Sequence, residues 1–399
     1  MGLSPVCPIM ISVATAEEII HAHWPDFGHE YLGLAEVSPM NLETSVRADR
    51  SYPPGNRVLM DGIAVGWSLY QHGQRQYPIA TLLAAGDCPP ILTPEEGCLE
   101  VMTGAYLPQG YDLVIPYEDL KIDQHQAFIQ QERPRSQYEH IHRFGADCHG
   151  GDELLPPHAN LNGPVWGVLA SLGKSTVKVR RSPRIQIIST GNELIEVHQI
   201  PQFYQLRRSN LYALKASLLK RGYQHINLAH LPDHPDSIRS HFHQATQDFD
   251  VLLYSGGVSK GKLDYLPQLW QELGVTNYIH GVAQRPGKPL WFGVDQSHQT
   301  AIIGLPGNPV SSMVCLHRYF LPPNPSFAQL AADIHFTKPL TYFPVVKITA
   351  LKNAVTSAQP LPFQNSSEFI ILAQSDGFIE LPPEPNHFKA GDCFPFYPW

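Results

Sequence analysis

Three segments in the middle of the chain end an aliphatic run on a glycine turn, and these turns are where the sequence could do chemistry. They are Ser189-Thr190-Gly191-Asn192-Glu193, Ser255-Gly256-Gly257-Val258-Ser259-Lys260-Gly261 and Leu305-Pro306-Gly307-Asn308-Pro309-Val310-Ser311. Glycine lets the backbone turn tightly and present its N–H groups, and a following helix adds positive potential, so each turn suits an anion such as phosphate. In the third turn Asn308 is predicted as a helix cap and Pro309 as the first helical residue. One such turn alone is equally an ordinary strand-to-helix connection; three in one region point to a phosphate-bearing ligand. None matches G-x-x-x-x-G-K-[ST] or G-x-G-x-x-G, so a P-loop and a dinucleotide fingerprint are both excluded.

Carboxylates gather beside these turns. Glu193 follows the first, Asp264 the second, and Asp233 follows an aliphatic run ending at Leu231. A few carboxylates together with phosphate oxygens are the usual setting for Mg²⁺, which makes Asp233 and Asp264 the candidate metal residues. Each is also a common turn or cap residue. Arg285-Pro286-Gly287-Lys288-Pro289 puts two cations in a stiff turn suited to an oxyanion, as a solvated loop also would. The twenty histidines show no H-E-x-x-H or other ligand spacing, and His142, His149, His241 and His243 read as surface or structural residues.

These residues need elements to hold them. From Arg184 onward short β-branched runs alternate with amphipathic stretches, which is a βαβ pattern. Strands are predicted at Arg184–Ser189, His225–Leu231, Asp250–Ser255 and Thr300–Leu305. Helices are predicted at Asn210–Arg221, stopped by Gly222, at Pro235–Gln247, at Leu266–Leu273 and from Pro309. The alternation implies a parallel sheet with helices on both faces and ligands at the carboxyl ends of its strands. Residues 51–142 are punctuated by Pro and Gly and strand-like, predicting a small β-rich domain, and the Pro-rich chain after Pro322 becomes strand-like again.

Composition sets the remaining bounds. The chain has 399 residues, 43% hydrophobic, with a formal charge of −8 and 16% charged residues. It is long enough for two to four domains and lacks the basic excess of a nucleic-acid binder. Six scattered cysteines without C-x-x-C exclude a zinc ribbon and a disulfide framework, favouring a reducing cytoplasm. No uninterrupted apolar run reaches membrane-spanning length, so no membrane partner is expected. The first segment lacks the basic residues of a signal peptide, and Met10 is an alternative start to Met1.

GNEL, SGGVSKGKLDY, PGKP and GLPGNPVS, in this order and spacing, resemble the MoeA/gephyrin family of molybdopterin molybdenumtransferases. Upstream, Met60-Asp61-Gly62-Ile63-Ala64-Val65 resembles the family's MDGYAV, Met102-Thr103-Gly104-Ala105 its MTGA, and Gly145-Ala146-Asp147 its G-E-D element. GVLASLG before Lys174 and the terminal SSEFIILAQSDGFIELP extend the likeness over nearly the whole chain. The single-domain molybdopterin adenylyltransferases and CinA-type proteins share the α/β unit without the MDG, MTGA and G-x-D elements together.

The resemblance implies a multidomain α/β plus β protein with four domains in an L-shaped subunit. The N-terminal extended domain would be discontinuous (10–50 and 143–183) and split by a β-rich insert (51–142). A MogA-like parallel α/β domain (184–322) and a small C-terminal β-barrel-like domain (333–399) would follow. It also implies a cytoplasmic homodimer that takes adenylylated molybdopterin from a molybdopterin adenylyltransferase, inserts molybdate, and releases AMP with Mg²⁺. On this reading Asp61, Thr103, Asp147, Glu193, Asp233 and Asp264 are catalytic, the first three contributed across the dimer. Ser189, Thr190, Gly191, Ser255, Gly256, Gly257, Ser259, Pro306, Gly307, Asn308 and Pro309 hold the substrate, and Arg285, Lys288, Ser311 and Ser367 receive molybdate.

The chain departs from the family pattern at several places. Arg208 stands where the family's D-[ST]-N has aspartate, Leu59 where a polar residue is common, and Arg285 where K-P-G-K-P begins with lysine. The GR-x-x-F-x-R element is absent between Pro344 and Pro362. These departures keep two alternatives open, a non-catalytic pterin-binding or scaffold protein of the same family and an ATP-dependent adenylyl transferase.

Overall fold

The computed structural model describes residues 10–36, 41–258, 264–321, 326–350, 355–362 and 365–399. Ser259, expected to touch substrate, lies outside them. The described chain forms two compact units, one from residues 10–30 and 180–399 and the other from 31–36 and 41–179.

The first unit is built on a six-stranded sheet of β1 (Ile185–Thr190), β2 (Ile226–Leu231), β3 (Val251–Ser255), β4 (Thr276–His280), β5 (Trp291–Asp295) and β6 (Thr300–Leu305), in the order β2-β1-β3-β6-β5-β4. The predicted parallel core is present as β2-β1-β3-β6. β5 runs antiparallel to both of its neighbours. The pattern could not show β5, because a return strand without a crossover helix breaks the βαβ rhythm, while β4 follows the helix Leu266–Glu272 but its sequence, TNYIH, holds no aliphatic run.

Every residue of β1, β3 and β6 is buried, as parallel strands covered on both faces require. Alternation along the strands divides the core in two. Ile187, Leu253 and Ile303 pack with Leu211, Leu214 and Leu218 of α1 (Ser209–Lys220). Ile188, Leu252 and Ile302 pack with Ile238, Phe242 and Ala245 of α2 (Pro235–Asp248) and with Leu269 and Trp270 of α3 (Leu266–Glu272). Burying any one of these large side chains is worth about 1.5–3 kcal/mol. The sheet is therefore a stiff platform whose strand ends cannot shift independently.

An N-terminal helix, Val13–His23, adds Val13, Ala16 and Ile20 to the first of these layers, with Ser12 Oγ accepting the Thr15 N–H at 3.1 Å as its cap. After β6 comes α4 (Pro309–Cys315), which runs on into a wider π-turn over Leu316–Phe320. Buried Arg318 on that turn pairs with Glu17 at 2.9 Å and Glu380 at 2.8 Å, joining three separate segments. The C-terminal strands Ser326–Leu330, Thr356–Pro360, Val345–Ala350, Gly377–Ile379 and Cys393–Pro398 close into a five-stranded barrel.

In the second unit, six strands form a sheet in the order Leu113–Pro116, Gly62–Val65, Cys98–Val101, Gln76–Leu83, Gln126–Ile129 and Leu120–Asp123. A helix, Gly163–Ser171, is capped by Asn162, whose Oδ1 accepts the Val165 N–H at 3.1 Å. Gly62 of the M-D-G segment is dictated by space, since a Cβ there would lie 2.0 Å from the Ile115 carbonyl oxygen across the sheet.

Candidate active site

The three glycine turns leave β1, β3 and β6, which are adjacent in the sheet, and the structure brings them together. Gly191 has φ +140°, a left-handed backbone that favours glycine, and the Glu193 carboxylate folds back to within 2.6 Å of where a Cβ would sit. A Cβ on Gly257, at φ +69°, would approach Thr190 Oγ1 to 3.0 Å, and one on Gly307 would lie 3.7 Å from the Gly256 Cα. The backbones of all three turns thus crowd one edge of the sheet, where larger residues would fill the space.

A side chain outside the predicted set ties them. Asn210, at the start of α1, donates from Nδ2 to Ser255 Oγ at 3.0 Å and to the Gly307 carbonyl at 2.8 Å, bracing the second turn against the third. Its place in the R-S-N segment signalled a helix start. Only the sheet order shows that this start faces β3 and β6.

Thr190 Oγ1, on a residue 5% exposed, has no hydrogen-bond partner. An unmade bond at a buried hydroxyl costs about 1–3 kcal/mol, so this atom marks a place where a ligand's polar group would be welcome. Ser189 Oγ lies 3.0 Å from Nδ1 of His230, its register partner on β2. Burial, and then the nearby Arg208 guanidinium, push the His230 imidazole below its ordinary pKa and keep it neutral at neutral pH. Nothing in the sequence pointed to His230, because a strand pairing set by a crossover of some forty residues is not written locally.

The acids sit at the same edge. Burial, then the Glu193 charge and less strongly that of Asp264, raise the Asp233 carboxyl above its ordinary pKa. The Asp233 N–H donates to Asn192 Oδ1 at 3.2 Å, which holds the loop after β2 against the first turn. Mutually repelling carboxylates beside phosphate-binding turns suit a hard cation that also takes phosphate oxygens. Among the described residues no group of three or more His, Cys, Asp or Glu side chains is set to hold a metal by itself.

Asn308 precedes α4 as expected, but its side chain does not cap the helix. Its amide is engaged elsewhere: Nδ2 donates to Ser366 Oγ at 2.9 Å, and Oδ1 accepts from Ser367 Oγ at 3.0 Å. The predicted Ser367 is thereby brought to the third turn. In the Arg285–Pro289 turn, Gly287 has φ +93° and its Cβ would fall 2.5 Å from Cys315 Sγ and from Gln284 Nε2, seating the turn against α4. Ser311 is buried four residues before Cys315, on the same helix face, while Arg285 and Lys288 are exposed. Pro306 and Pro309 shape the third turn through backbone alone, Pro306 accepting the Ser312 hydroxyl.

In the other unit, Asp61 Oδ1 accepts both the N–H of Thr103 at 2.6 Å and its hydroxyl at 2.7 Å. These two bonds hold the Asp61 carboxyl below its ordinary pKa. Asp147 lies 2.9 Å from Nε2 of His142, whose Nδ1 faces the Arg57 guanidinium at 3.4 Å. Arg57 can only donate, so Nδ1 accepts and the Nε2 proton points at Asp147. His142, read from sequence as surface or structural, orients a predicted site residue.

Residues 11–173 match the MoeA N-terminal region (domain I and II), residues 186–325 a probable molybdopterin binding domain, and residues 328–399 the MoeA C-terminal region (domain IV). A molybdopterin molybdenumtransferase of Synechocystis sp. is 53% identical over 390 residues, covering 98% of this chain and all of that protein. The chain belongs to the MoeA family of molybdopterin molybdenumtransferases. A Haemophilus influenzae family member is 30% identical, covering 93% of this chain and 94% of its own. The crystal structure of a MoeA protein from Pyrococcus horikosii, 23% identical, superposes with a TM-score of 0.80 over 98% of this chain and 99% of that one, so the fold is shared. Membership makes the chain a transferase of molybdenum cofactor biosynthesis. No helix among the described residues is long and apolar enough to cross a membrane.

Proposed function

We propose that the chain takes adenylylated molybdopterin and molybdate as substrates, inserts the molybdenum, and releases AMP in a Mg²⁺-dependent reaction. The observation that carries this reading is the convergence of the three glycine turns, braced by Asn210 and bordered by the unpartnered Thr190 hydroxyl, at an edge shared with Asp233, Glu193 and Asp264. Backbone N–H groups at Gly191, Gly257 and Gly307 would bind phosphate oxygens, with Ser189, Thr190 and Ser255 lining the strand ends, while the Gly256 N–H is taken by the Leu305 carbonyl at 3.0 Å and that residue serves by leaving room. Asp233 and Asp264 would hold Mg²⁺, which when bound supplies charge neutralisation at the phosphates and a more acidic bound water. Glu193 orients the ligand beside the first turn. Arg285, Lys288, Ser311 and Ser367 serve molybdate, an anion that cations and hydroxyls recognise without a metal.

Asp61, with its depressed carboxyl pKa and its Thr103 partner, and Asp147, oriented by His142, act in the same reaction within a cytoplasmic homodimer supplied by a molybdopterin adenylyltransferase. The test is turnover of purified protein and of its Asp233→Asn and Asp264→Asn variants with all substrates and Mg²⁺. Wild-type AMP release lost in both variants supports the reading. Release that survives Asp264→Asn overturns the metal assignment. Ligand binding without turnover in the wild type would favour the non-catalytic alternative.

A further inference from the structure

Arg208 is where this chain replaces the aspartate of its family's D-[ST]-N element, and the structure places it on the phosphate side of the site rather than in solvent. It immediately precedes α1, two residues before Asn210, whose amide reaches the second and third turns. Its side chain is only 11% exposed. The backbone brings its counterion: Leu194–Ile195 pairs in parallel with Leu206–Arg207, and the Arg208 N–H donates to the Ile195 carbonyl at 3.1 Å. Glu196 therefore lies beside the guanidinium and accepts from its Nη2. Nε is buried with no hydrogen-bond partner. A guanidinium has five N–H donors, and the pairing with half-exposed Glu196 leaves the one on Nε unused.

The direction of the unused donor follows from its neighbours. The Leu206 N–H donates to the Glu193 carbonyl at 2.9 Å, which holds the chain leading into Arg208 against the turn that follows Ser189. The next residue is Thr190, whose buried hydroxyl also lacks a partner. Arg208 Nε and Thr190 Oγ1 are thus two buried donors without a hydrogen-bond partner on segments that meet at the first turn.

We infer that Arg208 recognises a phosphate group of the ligand, and that Glu196 holds the guanidinium in place and competes with that phosphate for it. This deepens the function proposed above and rests on its phosphate-binding edge. The chemistry recognised is a phosphate monoester or a pyrophosphate, which takes a guanidinium fork through two oxygens. Two roles are then opposed in one ion pair. If the pair served only to close the excursion between Ile195 and Arg208, loss of either partner would leave anion affinity alone. If Glu196 competes, its removal strengthens anion binding.

The experiment is calorimetric titration of the full-length protein with AMP, with adenosine as the uncharged control and inorganic pyrophosphate as a probe that needs no nucleoside. Arg208→Gln should weaken AMP and pyrophosphate by about tenfold or more, the size of a charge-assisted bond, and leave adenosine within about twofold. Glu196→Gln should tighten both anions by about threefold or more, because it frees the guanidinium from a competing carboxylate. Arg208→Lys keeps the charge without the fork and should fall between wild type and Arg208→Gln; with Glu196→Gln it carries the test should Arg208→Gln fail to fold. Anion affinities unchanged in Arg208→Gln, or unchanged or weakened in Glu196→Gln, would overturn the inference while leaving the proposed reaction intact. Pyrophosphate binding that needs Arg208, in a protein blind to AMP, would uphold the inference and count against the adenylylated substrate. Failure of the wild type to bind either anion would overturn both.

Discussion

Asn210 offers the sharpest perturbation of the site, because one amide group connects two of the three turns. Replacing it by alanine removes the bonds to Ser255 Oγ at 3.0 Å and to the Gly307 carbonyl at 2.8 Å, and nothing else in the core. Each bond between neutral groups contributes about 0.5–1.5 kcal/mol. The Gly307 carbonyl is open enough to regain a water, so the sum falls at about 1–2 kcal/mol. For a unit of this size each kcal/mol lowers the melting temperature by ~2–4 °C, giving a drop of about 2–8 °C in the transition of the α/β unit. The turns would also lose their mutual placement, and a loss of ~1.4 kcal/mol of that pre-organisation weakens AMP about tenfold. Asn210→Asp should weaken AMP further than Asn210→Ala, because it sets a carboxylate against the Gly307 carbonyl and beside the phosphates. Scanning calorimetry and AMP titration on the three proteins read both quantities. A melting drop of this size with unchanged AMP affinity in Asn210→Ala would refute the claim that the brace organises a phosphate cradle.

Gly287→Ala should destabilise the fold by about 2–4 kcal/mol in urea denaturation, since the new Cβ combines a left-handed backbone with contacts of 2.5 Å to Cys315 and Gln284; a cost under ~1 kcal/mol would show that the turn is not seated on α4. Asp233→Asn should stabilise the protein by on the order of 1 kcal/mol at neutral pH while abolishing turnover, a trade expected where function gathers like charges. The sign follows from the raised folded-state pKa of Asp233, whose native form binds its proton more tightly than the unfolded chain. Its contribution is therefore fully present below the unfolded carboxylate pKa and is lost as pH rises through the folded one. The stability gap between variant and wild type should open across that window in pH-dependent melting, and a gap that closes with rising pH would contradict it. Arg318→Ala should cost about 3 kcal/mol by leaving the largely buried Glu380 with only its Tyr397 hydroxyl donor; guanidinium denaturation with a midpoint equal to wild type would show that the buried arginine holds nothing together.

Much of this site was legible in the sequence because its parts are local. A glycine after an aliphatic run declares a turn wherever it stands, and the four parallel strands of the core announced themselves as short aliphatic runs between amphipathic stretches. Position in the sheet was not local. That β1, β3 and β6 are neighbours, so that Thr190, Gly256 and Gly307 share one edge, depends on strand order, which three separate crossovers decide. The roles of Asn210 and His230 became visible only then. Asn308 shows the converse: its sequence context, just ahead of Pro309, spells a helix cap, yet two serines nearly sixty residues later draw off both ends of its amide. β5 was missed because its antiparallel return carries no helix to mark it.

The central claim is that this edge carries out the transfer, with Asp233 and Asp264 serving Mg²⁺. It is tested most directly by incubating the purified chain with adenylylated molybdopterin, molybdate and Mg²⁺ and following AMP and pterin-bound molybdenum together. One AMP should be released per molybdenum inserted, with both products lost when Mg²⁺ is chelated. A protein that binds the adenylylated ligand, releases no AMP and leaves the pterin free of molybdenum would contradict it.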